Sequence, residues 1–422
     1  MKSRPIAIDL FAGAGGLSLG LEQAGFDVKA SVEIDPIHAC VHKYNFPDCS
    51  VIPLPVEKVT GEMLLESAGL NGVEIDLIAG GAPCQGFSLI GQRAMDDPRN
   101  KLVKEFIRLV DELKPKYCLF ENVKGLTVGK HKGFLSEIID ELESVGYTVR
   151  MPWKVLNAKY FGVPQNRERL FLIAARSGLE LPEYPEPSLG AIVTCDEALS
   201  DIPDAELYES LIGSDEVPFD YKKEATGYSA IMRTSNTDAW YKGYKRKWDS
   251  SILTSSMRTD HTEISRTRFR NTPEGKNEPT SRLFKLPRNG VSNTLRAGTD
   301  SARGAFTSPR PIHFDFARCI TVREMARLHG FPDWFRFNET KWHGARQVGN
   351  AVPPPLGRCI GEKILEKISM QVSKPKGFIA LGDSSLLKKD MSAACKYWGV
   401  ENPIGKRDRK SGAKKRKQSE TI

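Results

Sequence analysis

The chain has no two cysteines close enough to pair in a short metal or redox motif. Its eight cysteines, Cys40, Cys49, Cys84, Cys118, Cys195, Cys319, Cys359 and Cys395, include no C-x-x-C. That argues against a zinc site and a disulfide framework, and predicts reduced, mostly buried thiols. Nor does any apolar run approach the roughly 20 residues that span a bilayer. The opening "MKSRPIAIDLFAGAGG" has neither a long apolar stretch nor the small-residue cleavage site of a secretory signal. A cytoplasmic protein with no membrane partner is expected. Internal repeats are absent too. The 422 residues allow two or three domains, or one large domain with an insertion.

What is present is a basic charge confined to two places. Residues 406–417, "KRDRKSGAKKRK", hold eight Lys/Arg and one Asp. Residues 222–310 hold eighteen Lys/Arg and eight Asp/Glu, whereas the whole chain is only +8. The remainder is therefore acidic. A basic tail alone reads as a solubilising end. A basic internal segment suits a polyanion-binding surface on a mildly acidic catalytic body.

The first 175 residues or so alternate strand-like and helix-like stretches. Strand patterns lie at 5–11, 27–35, 73–81, 116–123 and 169–176. Helical patterns lie at 17–25, 100–115 and 133–147. This alternation predicts an α/β fold with a doubly wound parallel sheet. Near residue 177 the Pro/Glu-rich "GLELPEYPEPS" reads as a linker. From 185 to 315 the periodicity is poor, which predicts a second domain of short strands and loops. Helical character returns at 321–334, 353–372 and 391–400, and the tail after 402 is expected to be disordered.

"DLFAGAGGLSLGLEQAGF" places Gly13, Gly15 and Gly16 between a strand and a helix. Glycines there permit a tight turn and close approach of a ligand. Glu33 ends the next strand, about twenty residues on, where such folds bind a ribose diol. The pattern is not the full G-x-G-x-x-G, so a nucleoside cofactor, a nicotinamide cofactor and a plain strand–helix turn all stay open.

Cys84, in "GGAPCQGFS", follows a predicted parallel strand, where open α/β sheets bind ligands. A lone cysteine is more often a small buried hydrophobe than a nucleophile. Glu121, in "FENV", ends another strand at the same edge, and a solvated or capping role is the plain alternative. Arg167 and Arg169, in "QNRERL", are two apart and share a face in extended backbone. A salt-bridge role is their default.

Taken together these stretches resemble the DNA (cytosine-5) methyltransferases of restriction–modification type. The resemblance runs through "DLFAGAGGLSLGLEQAGF", "GGAPCQGFS", "ENV", "GVPQNRERLFLIA", "RCITVREMARLHGFPD" and "QVGNAVPPPLGRCIGE", in the family's order. It implies an S-adenosylmethionine-dependent, Rossmann-like catalytic domain at 1–184 and a smaller, irregular target-recognition domain at 185–315. A segment at 316–372 would complete the catalytic domain, and an extension would occupy 373–422. It implies Cys84 as the nucleophile at carbon 6 of cytosine, and Glu121 as the group at ring nitrogen 3. Arg169 would contact the carbonyl oxygen, with Arg167 supporting the pocket or a phosphate. For the cofactor it implies Phe11, Gly13, Gly15, Leu17, Glu33, Ile34, Pro83, Leu102, Asn350 and Val352. The family's acid for the adenine amine has no clear counterpart: Pro55 stands there, with Glu57 nearby.

A base inside a duplex must be flipped out to reach Cys84. The stretch "LIGQRAMDDPRNKL" resembles the family's mobile catalytic loop, which makes Gln92, Arg93 and Arg99 candidate DNA contacts. In 258–298 Arg, Asn, Thr and Ser interleave with turns, but no single residue is assignable to a base. The resemblance also implies double-stranded DNA as partner, a cognate restriction endonuclease on the same site, and a monomer. An RNA methyltransferase and an inactive DNA-binding scaffold are the rival readings. The target sequence is not legible.

Overall fold

A computed structural model describes residues 4–83, 100–129, 131–188, 190–298 and 308–403. Continuous burial from Ala7 to Leu10 in β1 (Ile6–Leu10) places it mid-sheet, and α1 (Gly16–Ala24) follows. Next come β2 (Asp27–Val32), α2 (Pro36–Asn45), β3 (Ser50–Ile52), α3 (Gly61–Ser67) and β4 (Leu77–Gly80). The region continues with α4 (Lys101–Leu113), β5 (Tyr117–Val123), α5 (His131–Ser144), β6 (Tyr147–Val149), β7 (Lys154–Asn157) and β8 (Glu168–Arg176).

These strands form one sheet in the order β3-β2-β1-β4-β5-β8-β6, with β7 also on β8. The expectation of an all-parallel sheet needs correcting. From β3 to β5 the neighbours are parallel, but β8 is antiparallel to β5, β6 and β7. The cause is the connection from β7 to β8, which holds only a single 3-10 turn at Ala158–Phe161. A parallel return needs a crossover of a dozen or more residues, so the chain reverses instead. Reversal brings the start of β8 to the edge where β4 and β5 end: Arg169 lies opposite Val123.

Helices cover both faces. One layer, with α4 and α5, packs on Ile8, Ile78, Phe120 and Leu170. The other packs on Ala7, Leu77, Leu119 and Phe171, and includes α1 and α11 (Pro354–Leu365). A glycine seam lets those two helices touch. A Cβ at Gly20 would stand 2.6 Å from the Pro354 carbonyl oxygen, and one at Gly361 would stand 2.8 Å from Ala24 Cβ. A helix from the far end of the chain thus joins the layer that α1 forms.

A second core joins 195–295 to 314–348, with Trp240, Leu253, Leu286 and Leu295 meeting Phe331, Trp334 and Phe335. Short strands and loops are only part of this region. It also holds α6 (Cys195–Leu199), α7 (Gly227–Met232) and α8 (Glu263–Asn271). Helix α8 escapes a periodicity search because it buries only Ser265 and Phe269. It is started instead by Thr262, whose Oγ1 accepts from Ser265 N–H at 3.3 Å.

The motif "RCITVREMARLHGFPDW" anchors this core through α9 (Val322–Leu328). Arg327 is fully buried between two carboxylates. Its Nε and Nη2 donate to Asp333 at 2.6 and 2.7 Å, and Nη1 donates to Asp201 Oδ1 at 3.0 Å and to the Ala198 carbonyl at 3.1 Å. Replacing it by Ala leaves two buried charges without their shared partner. Arg327→Ala should therefore lose about 3–5 kcal/mol in urea unfolding. Arg327→Lys should recover only part, since an ammonium cannot present both forks.

Helix α10 (Lys341–Asn350) precedes α11. Beyond it, part of the 373–422 extension is folded. Strand β12 (Phe378–Ala380) pairs in parallel with β10 (Lys245–Lys247), and α12 (Met391–Trp398) packs on α2. The remaining strands, β9 (Val217–Pro218) and β11 (Ile252–Leu253), pair with each other. The basic tail lies outside the described residues. Among the described residues no helix is long and apolar enough to cross a membrane.

Candidate active site

The turn after β1 takes an unusual backbone path. Phe11, Gly13 and Gly15 have φ of 61°, 57° and 101°. Only glycine fits at Gly15: a Cβ there would lie 2.4 Å from Phe46 Cε2. At Gly13 a Cβ would meet nothing within 4 Å, so the turn faces open space. Leu17, in α1, is buried in the sheet core.

Glu33 closes over this turn. Its Oε2 accepts from Gly13 N–H and its Oε1 from Asp35 N–H, both at 2.8 Å. Burial pushes its carboxyl up, while nearby His38 opposes the shift. Next to it, Ile34 is 47% exposed, unusual for an isoleucine beside a buried acid. Asp35 then caps α2, accepting from Ile37 N–H at 2.9 Å.

Beneath the turn runs a buried polar chain that no sequence pattern marks. Ser18 Oγ donates to Asp9 Oδ2 at 2.5 Å and lies 3.0 Å from His42 Nε2. Burial raises Asp9 to about 7 and lowers His42 to about 3. His42 is thus a neutral link rather than a charge.

At the other side of the edge, Glu121 and Arg169 meet. Arg169 Nε is 2.9 Å from Glu121 Oε1, and both side chains are largely buried. Burial raises the Glu121 carboxyl, with Arg169 and Arg167 pulling it down. Gly81 makes room for this carboxylate: a Cβ there would stand 2.6 Å from Glu121 Oε2. Asn122, also missed from sequence, donates to the Ala82 carbonyl at 2.9 Å. It fixes the chain that leads to Pro83, which is exposed. Cys84, Gln92, Arg93 and Arg99 lie outside the described residues.

Arg167 points elsewhere. It is buried, and its Nη1 donates to the Leu295 carbonyl at 3.1 Å. Nη2 donates to the carbonyls of Gly349 and Ala351, each at 3.0 Å. So placed, it has no surface with which to meet a phosphate. It ties three distant segments together beside the pocket. Gln165 adds to the tie, its Oε1 accepting from Leu295 N–H at 3.1 Å. The strap at 292–296 leaves Arg296 exposed, with no side-chain hydrogen bond or ion pair among the described residues.

Asn350 is exposed at the end of α10, and Val352 is buried against the start of α1. A Cβ at Gly16 would stand 2.5 Å from the Val352 carbonyl oxygen, so the two segments touch through backbone. Leu102 is half-buried against the sheet core. Glu57 has its Oε1 4.0 Å from Lys101 Nζ, and the adenine-amine contact stays unassigned. No cluster suited to a metal ion occurs among the described residues.

A model of the C-5 cytosine-specific DNA methylases matches residues 6–366. The chain is 54% identical over 402 residues to the type II methyltransferase M.XorII of Xanthomonas oryzae pv. oryzae, covering 95% of this chain and 94% of that one. It is 35% identical over 365 residues to the type II methyltransferase M1.HphI of Haemophilus parahaemolyticus, covering 85% and 86%. Among solved structures, a protein assigned as a DNA modification methyltransferase of an E. coli prophage superposes with a TM-score of 0.71. It is 32% identical, over 86% of this chain and 99% of that one.

Proposed function

Since the chain belongs to the C-5 cytosine-specific DNA methylase family, we propose that it methylates one cytosine within a specific double-stranded DNA sequence. The reading has S-adenosylmethionine as cofactor and a covalent cysteine adduct, on a base flipped out of the duplex. A cognate restriction endonuclease acting on the same site is the partner it implies.

The observation that carries this reading is the Glu121–Arg169 pair at the sheet edge where β4 hands the chain to Pro83. Cys84 follows directly. A buried acid and a guanidinium at the edge from which the chain runs on to a cysteine suit addition to a pyrimidine ring. The cofactor fits the turn at Gly13, which faces open space, with Glu33 for the ribose hydroxyls and exposed Ile34 for the adenine face. Phe11, Gly15, Leu17, Pro83, Leu102, Asn350 and Val352 would complete its walls.

When bound, S-adenosylmethionine supplies an electrophilic methyl group. Cys84 as thiolate adds to carbon 6, and the ring electrons move to carbon 5, making it the nucleophile that such a methyl group would need. Glu121, holding a proton, donates to ring nitrogen 3 and quenches the charge that addition places there. Arg169 orients Glu121 and donates to the carbonyl oxygen of the ring. Water removes the proton from carbon 5, and the thiolate leaves as the double bond re-forms. Arg167 positions the pocket. Arg296, exposed on a locked strap, is suited to a backbone phosphate, alongside Gln92, Arg93 and Arg99.

The test supplies labelled S-adenosylmethionine with genomic DNA and, separately, with transfer RNA. Label should enter DNA only, as 5-methylcytosine at one recurring sequence. Label in RNA alone, or in neither, would sink the reading.

A further inference from the structure

We propose that the folded part of the extension, residues 378–398, braces both walls of the cofactor pocket and thereby sets cofactor affinity. The proposal rests on the cofactor reading above. The extension lies beyond residue 366, where the family match ends, and contributes no strand to the large sheet.

Its contacts converge on the pocket from behind. Leu386, Leu387 and Ala394 share a buried cluster with Ile37, Cys40 and Val41 of α2, and with Ala14 of the glycine-rich turn. Trp398 Nε1 donates to the Pro36 carbonyl at 3.2 Å. Pro36 opens α2 two residues after exposed Ile34. At the other end of that helix, Gly382 N–H donates to the Tyr44 carbonyl at 2.8 Å. A Cβ at Gly382 would stand 2.9 Å from Tyr44 Cα, so the chain approaches as closely as backbone allows.

The same segment also holds the opposite wall. Glu339 N–H donates to the Leu387 carbonyl at 3.0 Å, and Asn338 Nδ2 donates to the Lys389 carbonyl at 3.2 Å. Asn338 organises the start of α10, accepting from Thr340 N–H and Oγ1 at 3.0 and 2.8 Å. Helix α10 ends at Asn350. One short segment therefore couples the helix behind Glu33 and Ile34 to the helix that delivers Asn350 and Val352. Loosening it should let the walls part without disturbing Glu121 or Arg169, which sit on other elements.

The test compares wild type with Trp398→Ala and Trp398→Phe, after thermal unfolding shows each to be folded. Titration calorimetry gives the affinity for S-adenosylhomocysteine, and steady-state kinetics separate KM for S-adenosylmethionine from kcat. Trp398→Ala should raise both the dissociation constant and KM about tenfold, leaving kcat and DNA affinity at wild-type values. Trp398→Phe keeps an aromatic ring of smaller size and loses the donor, so it should shift about threefold in the same direction, and it decides the matter if the alanine variant does not fold. A folded variant with unchanged cofactor affinity overturns the brace, as does an equal loss of DNA affinity. A wild type that binds no cofactor overturns the cofactor reading, and the brace with it.

Discussion

Cys84→Ser should lower turnover by about 10⁴-fold or more, while binding of DNA and cofactor survives. The thiolate is what adds to carbon 6, and a thiol ionises far more readily than a hydroxyl. A serine hydroxyl is not ionised at neutral pH. The chain entering position 84 is held by groups the substitution leaves alone. Asn122 fixes the Ala82 carbonyl, and Gly81 yields its space to Glu121. Loss of rate would therefore report chemistry rather than a misplaced loop. A duplex bearing 5-fluorocytosine at the mapped site gives a second readout. The carbon–fluorine bond blocks the final elimination, so wild type should be trapped covalently. Trapping of Cys84→Ser at the wild-type rate would remove Cys84 from the mechanism.

How far the sequence foretold the site depended on whether a residue's role was local. The glycine-rich turn and Glu33 come from one strand–turn–helix–strand unit, and their meeting follows from chain order. Arg167 and Arg169 show where local reasoning stops. Residues two apart share a face only where both lie in a strand. Strand β8 begins at Glu168, so Arg169 obeys the rule and Arg167, one residue before it, turns inward to Leu295 and Gly349.

The basic internal segment is a similar case. Several of its arginines are bound within the fold: Arg266 to Glu206, Arg270 to Glu263, and Arg288 to both Asp196 and Asp315. Counting charge located the segment and could not say which charges were already paired. Asp9, Ser18, His42 and Asn122 left no mark in sequence. Their hydrogen bonds are single side-chain contacts inside the core, which carry no periodicity, and the antiparallel insertion of β8 rests on a short connection that periodicity does not register either.

Glu121→Gln should lower turnover by about 10²–10³-fold and change the shape of its pH profile. Burial raises the Glu121 carboxyl above its ordinary value, against the pull of Arg169 and Arg167. A raised pKa keeps the proton on at higher pH, which is the form that donates to ring nitrogen 3. Wild-type turnover should thus fall as pH rises through the raised value. Glutamine donates from an amide but titrates nowhere in this range. Its variant should lose the high-pH limb. Stability provides an independent check with the same sign. A carboxyl raised on folding stabilises the fold fully below its unfolded pKa, and that contribution is lost as pH rises through the folded one. Urea midpoints of wild type should therefore decline across that window, and those of Glu121→Gln should decline less. A variant that keeps the high-pH limb of turnover would mean that Glu121 holds no catalytic proton.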